Sequence, residues 1–153
     1  MLMFDSLNIS ASSLSAQRLR MDVISSNIAN ASSTRGTYVN GVWEPYQRKL
    51  VVMEPREKSF GQVLQGEMEK QSNPSSKLQG VRVTGVINDT TPFKMIYDPT
   101  HPDANTEGYV RMPNVDLSKE MVDLLAASRA YEASVTAFNT GKSLMLKALE
   151  IGR

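Results

Sequence analysis

The side chains able to do chemistry are few and scattered. His101, the single histidine, sits between Asp98 and Asp103, and the three together offer one nitrogen and two carboxylates. Zinc sites draw three or four ligands into one place, usually several of them His or Cys, and this chain of 153 residues has one His and no Cys. No acidic series with calcium-loop spacing occurs either. The absence of cysteine also removes disulfides, thiolate ligands and cysteine nucleophiles. A Ser-His-Asp triad would have to use His101, and there is no Gly-x-Ser-x-Gly turn to present the serine. Glu67 and Glu69 are a carboxylate pair of the kind glycosidases use, but Glu54, Arg56, Glu57, Lys58 and Lys70 surround them in sequence, which describes a solvated face. Gly61 and Gly66 flank Gln-Val-Leu-Gln without the Lys-Ser/Thr of a phosphate loop. Three Asn-x-Ser/Thr triplets, at Asn8, Asn30 and Asn88, are short enough to arise by chance. The expectation is a protein that is not an enzyme, with no metal, no cofactor and no small-molecule substrate.

Charge narrows the partners. The net charge is +1, with 22% charged and 41% hydrophobic residues, so no basic field points to nucleic acid or to an acidic membrane surface. No stretch approaches the roughly 18 apolar residues of a membrane span. The N-terminus turns polar at Asp5, Ser6 and Asn8, which leaves no apolar stretch for a cleavable secretory signal. The expectation is residence in the cytoplasm unless a non-cleaving export machine takes the chain.

What remains is the architecture. Three parts are expected: a helical segment within 1–33, a β-rich middle at 34–115, and a second, longer helix within 116–153. In the first, read as helix over 4–33, Leu7, Leu14, Met21 and Ile28 recur every seven residues and lie on one stripe. Ile9, Ala16, Leu19 and Val23 form a second group on nearly the opposite side. Such a helix is either buried in the middle of one domain or packed by neighbours in an assembly. Nine of the first 33 residues are Ser, a poor helix former because its hydroxyl competes for backbone hydrogen bonds, so the segment needs tertiary support.

The second helix has a clearer start, with Asp116 as N-cap after Pro113. Leu117, Met121, Leu124, Tyr131, Val135 and Phe138 lie on an a/d seam, interrupted at Ser128 and Lys142. On the opposite side run Ala126, Ala130, Ala133 and Ala137. These alanines are either an ordinary helical surface, since Ala is the best helix former, or a close-packing face for neighbouring subunits. A helix over 116–151 would be roughly 50 Å long, whereas a compact chain of this length has a radius of gyration of about 15 Å. The helix therefore projects from a compact body or belongs to something larger.

The middle reads as strands. Asn40-Gly41 between Tyr38-Val39 and Val42-Trp43 is a strong hairpin signal. Further strands are expected at 46–53, 80–87, 93–97 and 109–112, with a long polar loop near 54–79 and a rigid, turn-rich connector at 98–103.

Two stretches carry a family resemblance. The run from Ser12 to Ala31, with Asn27-Ile28-Ala29-Asn30 at its core, resembles the N-terminal signature of the flagellar rod and hook axial proteins. Gly108 to Asp116, Glu120 to Leu124, Ala127 to Ala133 and Phe138 to Ser143 resemble the C-terminal segment of its basal-body rod members, and Tyr46 to Lys49 and Tyr97 to Pro99 fit the same proximal-rod group. Residues 54–79 look like an expanded loop, and Gly141 stands where the family more usually has Ala. The resemblance implies an α+β subunit whose two long terminal helices form an antiparallel coiled-coil-like pair, with the β-rich middle inserted between them. It implies assembly into the hollow axial drive shaft that transmits torque, at the flagellar basal body. It implies export by the flagellar type III apparatus without cleavage. Implied partners are other flagellar rod proteins, a rod-base adaptor and a membrane ring protein. Two other readings are a coiled-coil scaffold or secretion-system adaptor, and a peptidoglycan hydrolase. The hydrolase would need a catalytic cleft that the middle is too small to build.

Overall fold

A computed structural model describes residues 2–39, 41–56 and 80–151. The chain runs as helix α1 (Leu2–Ala29), strands β1 (Thr37–Val39), β2 (Val42–Glu44), β3 (Lys49–Pro55), β4 (Val81–Asn88), β5 (Lys94–Tyr97) and β6 (Tyr109–Met112), then helix α2 (Leu117–Ile151). The strands form three two-stranded sheets, β1-β2, β3-β4 and β5-β6. The fold is α+β, with two helices and small sheets between them, as expected. Residues 57–79, most of the expected polar loop and including Glu67 and Glu69, lie outside the described residues.

Local chemistry sets the element ends. α1 stops at Ala29, short of the expected 33. Asn30 N still makes the helical bond to Ser26 O at 3.1 Å, joined there by Asn30 Nδ2 at 2.8 Å, but Ala31 N turns to Ile28 O at 3.2 Å in place of Asn27 O, and the chain leaves the helix in a tight turn. α2 begins as expected. Asp116 Oδ1 accepts from the backbone N–H of Ser118 at 3.0 Å and of Lys119 at 3.3 Å, the contacts of an N-cap. β1 and β2 pair antiparallel with Val39 opposite Val42 and Tyr38 opposite Trp43. Gly41 there has φ +86°, a backbone that L side chains rarely adopt. β3 starts at Lys49 rather than at 46, since the segment before it is held by the turn after α1: Tyr46 N donates to Ser33 O at 3.1 Å.

The chain divides into two compact units. One comprises Met1–Gln17, Met53–Thr84 and Ala130–Arg153; the other comprises Arg18–Val52 and Gly85–Arg129. The core of the second holds Ile24, Val110, Val115 and Ala127 beside three buried polar residues, Asn27, Asn114 and Glu120. Its 98–108 connector is self-bonded. Asp98 Oδ1 accepts from Thr100 N and Oγ1 at 3.1 and 2.6 Å, and Asn105 Oδ1 accepts from Tyr109 N at 2.8 Å. In the first unit the only buried apolar residue among those described is Ala16. There Leu7 rests against Gly141, where an added Cβ would lie 3.1 Å from Leu7 Cδ2, and Ser13 Oγ meets Ser134 Oγ at 2.9 Å. Going from Leu7 to Ser13 takes the partner back from 141 to 134, so the helices are antiparallel in this unit.

Candidate functional site

The most constrained chemistry in the described residues is a buried polar lock in the second unit. A Ser- and Asn-rich helix would not ordinarily bury an asparagine, because an amide taken from water without partners is costly. Asn27 is 1% exposed, and both of its amide atoms are used twice. Nδ2 donates to Lys49 O at 2.9 Å and to Glu120 Oε2 at 3.0 Å. Oδ1 accepts from Lys49 N at 2.9 Å and from the Tyr46 hydroxyl at 3.0 Å. The side chain therefore pairs with the backbone at the start of β3 much as another strand would, and fastens the end of α1 to it.

Glu120, on the first turn of α2, is also 1% exposed. Its second oxygen, Oε1, accepts from Arg48 Nε at 2.6 Å, so neither carboxylate oxygen is left bare. Arg48 extends toward two further carboxylates, Asp89 at 3.4 Å and Asp123 at 3.6 Å. Burial opposes the charge on Arg48, but its bonds and attraction to Glu120 and then Asp89 outweigh that, and its pKa is raised. Asp89 is held below the usual carboxylate range, first by hydrogen bonds from Thr91 and then by Arg48. The backbone joins in as well: Arg48 N donates to Asn114 Oδ1 at 2.8 Å, and Asn114 Nδ2 donates to Asp89 O and Thr91 O at 3.2 and 3.0 Å. Four segments remote in sequence, at Asn27, Tyr46–Lys49, Asp89–Thr91 and Asn114–Glu120, meet through one continuous set of bonds.

A second, more exposed tie joins the turn after α1 to the connector. Arg35 Nε donates to Asp103 Oδ1 at 2.7 Å and Thr34 Oγ1 donates to Asp103 Oδ2 at 2.8 Å. These bonds, Arg35 first, hold the Asp103 carboxyl below its ordinary pKa. His101 Nδ1 accepts from Asp103 N at 3.1 Å. His101, Asp98 and Asp103 are thus occupied in turn formation. Among the described residues no three or more His, Asp or Glu side chains gather as a metal group, and no helix is long and apolar enough to cross a membrane.

The helix-face residues fall as follows. Leu7, Leu14, Met21 and Ile28 are half-buried, flanking a more deeply buried line through Ala16, Ile24 and Asn27. On α2, Leu124, Tyr131, Val135 and Phe138 are half-buried, whereas Leu117 and Met121 are exposed. On that first turn the buried position belongs to Glu120. Ala126, Ala133 and Ala137 are exposed and Ala130 is half-buried. Of the motif residues, Asn27 is the lock, Asn30 is the helix stop, Ile28 is half-buried and Ala29 is exposed. Sequence reasoning singled out Asn27 but gave no role to Arg48, Asn114 or Glu120. The available signal was a lone Glu set between two apolar seam positions.

Both ends of this arrangement match known families. Residues 7–36 match the family described as flagella basal body rod protein, and residues 106–151 match flagellar basal body rod FlgEFG protein C-terminal. The class so defined is that of flagellar axial rod proteins, whose signature segments here are α1 with its turn and β6 with α2. Full-length relatives narrow it. The chain is 52% identical to the flagellar basal-body rod protein FlgC of Bacillus subtilis, over 98% of each chain. It is 43% identical to FlgC of Borreliella burgdorferi over 97% of each, and 38% identical to FlgC of Salmonella typhimurium over the whole of both. The chain belongs to the FlgC family of flagellar basal-body rod proteins.

Proposed function

We propose that this chain is a structural subunit of the flagellar basal-body rod and that it works by being built into a polymer rather than by catalysis. The observation that carries the reading is how little apolar surface the single chain hides. Among the described residues five apolar side chains other than proline are buried, while Leu117, Met121, Val122, Leu125, Leu144, Leu149 and Ile151 of α2 lie 48–87% exposed. The hairpin side chains Tyr38 and Trp43 are exposed too, at 61% and 51%. Leu117, Met121, Val122 and Leu125 lie within about two turns of one helix, and exposed apolar side chains this close together mark an interaction surface.

In this reading the terminal helices, meeting along the seam of Leu14, Tyr131 and Phe138, form the layer around a central passage, and the alanine face at Ala126, Ala130, Ala133 and Ala137 meets the next subunit. The rod transmits torque as the drive shaft. The subunit reaches it through the flagellar type III export apparatus with its N-terminus uncleaved, and its neighbours include other rod proteins, a rod-base adaptor and a membrane ring protein. The test is to purify basal bodies from the bacterium that makes the chain and measure the protein's intact mass. The expected result is its presence with the N-terminus retained, apart from loss of Met1. Absence from basal bodies, or a chain trimmed well past Phe4, overturns the reading.

A further inference from the structure

We infer that the free edge of β5 is a strand-pairing site for β2 of a second copy of this chain, so that two subunits join their hairpins into one antiparallel sheet in the order β1-β2-β5-β6. The inference rests on the rod reading, since it needs copies held side by side.

Both hairpins are unfinished sheets. Among the described residues β2 pairs with β1 alone and β5 with β6 alone. Gly36 N donates to Glu44 O at 2.8 Å, so the Glu44 carbonyl faces β1. Backbone groups alternate sides along a strand, and the N–H and C=O of Trp43 therefore face the open edge. Asp98 N donates to Gly108 O at 2.9 Å, which by the same alternation turns the backbone of Met95 and Tyr97 away from β6. The side chains are open too: Val42 is 62% exposed and Trp43 51%, and Met95, Ile96 and Tyr97 are 48–64% exposed. An uncovered apolar edge strand is a template for another strand.

The residues select one occupant and one register. Placing Trp43 opposite Met95 brings the outward backbone groups of both strands together as a hydrogen-bonded pair. Antiparallel pairing then sets Glu44 opposite Lys94 and Val42 opposite Ile96. Added to the pairs already present, this register lines up side chains across the joined sheet. Val39, Val42, Ile96 and Val110 form one row, all β-branched. Tyr38, Trp43, Met95 and Arg111 form another, in which the Met sulfur meets the Trp ring. Glu44 and Lys94 meet with opposite charge. Lys94 Nζ already donates to Val115 O at 3.3 Å, and an ammonium has donors to spare. Setting Trp43 opposite Tyr97 instead would put Val42 against Asp98 and Glu44 against Ile96. Two copies of β5 would bring no acid to Lys94, and two copies of β2 no base to Glu44. Pro45 follows β2, and Pro92 and Pro99 bracket β5, and proline donates no ladder bond. So short a contact does not hold two free subunits together. It forms where a polymer keeps the chains adjacent.

Cysteine cross-linking tests the register, because the chain has no cysteine of its own. Residues in a non-hydrogen-bonded antiparallel pair stand about 4.5 Å apart at Cα, a span that a disulfide bridges. Basal bodies are purified from cells expressing the full chain with Val42→Cys and Ile96→Cys, oxidised with copper–phenanthroline and run on a non-reducing gel. The expected result is linked chains longer than a dimer, because each copy carries both partners. The two substitutions on separate chains in one cell should give dimers and nothing longer, and either alone should give no link. Val42→Cys with Met95→Cys, on opposite faces, should not link. Glu44→Cys with Lys94→Cys, the other non-hydrogen-bonded pair, reads the same contact if the first variant does not assemble. The inference is overturned if both pairs stay unlinked in basal bodies that contain the chain, if Ile96→Cys alone dimerises, which would mean that β5 pairs with β5, or if Val42→Cys links as well to Met95→Cys. Basal bodies in which mass measurement finds no wild-type chain overturn the rod reading and the inference with it, so the two failures are told apart.

Discussion

Replacing Asn27 with Ala removes the one side chain that bonds β3, α2 and the Tyr46 hydroxyl at once. Four hydrogen bonds are lost, at 2.9, 3.0, 2.9 and 3.0 Å. Each is worth about 1 kcal/mol net, and a buried partner left without a bond costs about 1–3 kcal/mol more. Two losses are softened. The Tyr46 hydroxyl keeps Ser26 Oγ at 3.4 Å, and Glu120 keeps Arg48. Lys49 has no such substitute, because both its N–H and its C=O face Asn27. Lys49 is an exposed residue whose freed backbone groups water can reach, so the loss is close to that of the four bonds, about 4 kcal/mol. For a unit of roughly 80 residues, each kcal/mol moves the midpoint by about 4–8 °C, so the melt followed by circular dichroism should fall by about 15–30 °C. Asn27→Asp, which keeps the shape but sets a carboxylate against Glu120, should cost at least as much. A midpoint within about 3 °C of wild type for Asn27→Ala would refute the claim that this lock holds the unit together.

Three further outcomes follow from the same contacts. Gly141→Ala should raise helicity and stabilise the first unit by about 0.5–1 kcal/mol, since the new Cβ meets only the flexible end of Leu7 and Ala outdoes Gly in a helix interior; a thermal melt checks the sign. Ala133→Trp, at an exposed position, should leave the melt of the purified subunit unchanged yet abolish rod assembly and swimming, whereas normal assembly would mean that the alanine face is plain helical surface. The Asp103 carboxyl, depressed by Arg35 and Thr34, contributes stability that is present above its unfolded pKa of about 3.9 and is lost as pH falls through its lower folded value; an NMR titration should find its midpoint below 3.9, and Arg35→Ala should move it upward.

How much of this the sequence made legible follows from the range of the interactions involved. The start of α2 was readable at Asp116, because an N-cap acts within three residues, and the β1-β2 hairpin was readable at Asn40-Gly41 for a similar reason. The end of α1 was missed by four residues, since nothing in the residues after Ala29 announces that Ala31 N will turn to Ile28 O. The first turn of α2 was the harder case. Apolar spacing put Leu117 and Met121 on the seam, but Glu120 is the side chain that is buried, drawn inward by an arginine 72 residues away. No periodicity encodes a partner at that distance. The motif at Asn27 was visible as a motif, yet its role as a substitute for backbone needed Lys49 beside it.

The central claim, that this chain is a rod subunit assembled through its terminal helices, is tested most directly by a cryo-EM map of the purified basal body from cells expressing it. The account predicts density for this chain in the rod, with α1 and α2 packed against neighbouring subunits and Ala133 within van der Waals contact of an adjacent chain. A rod whose density accommodates no copy of the chain, or one in which both helices stand clear of every neighbour, would contradict it.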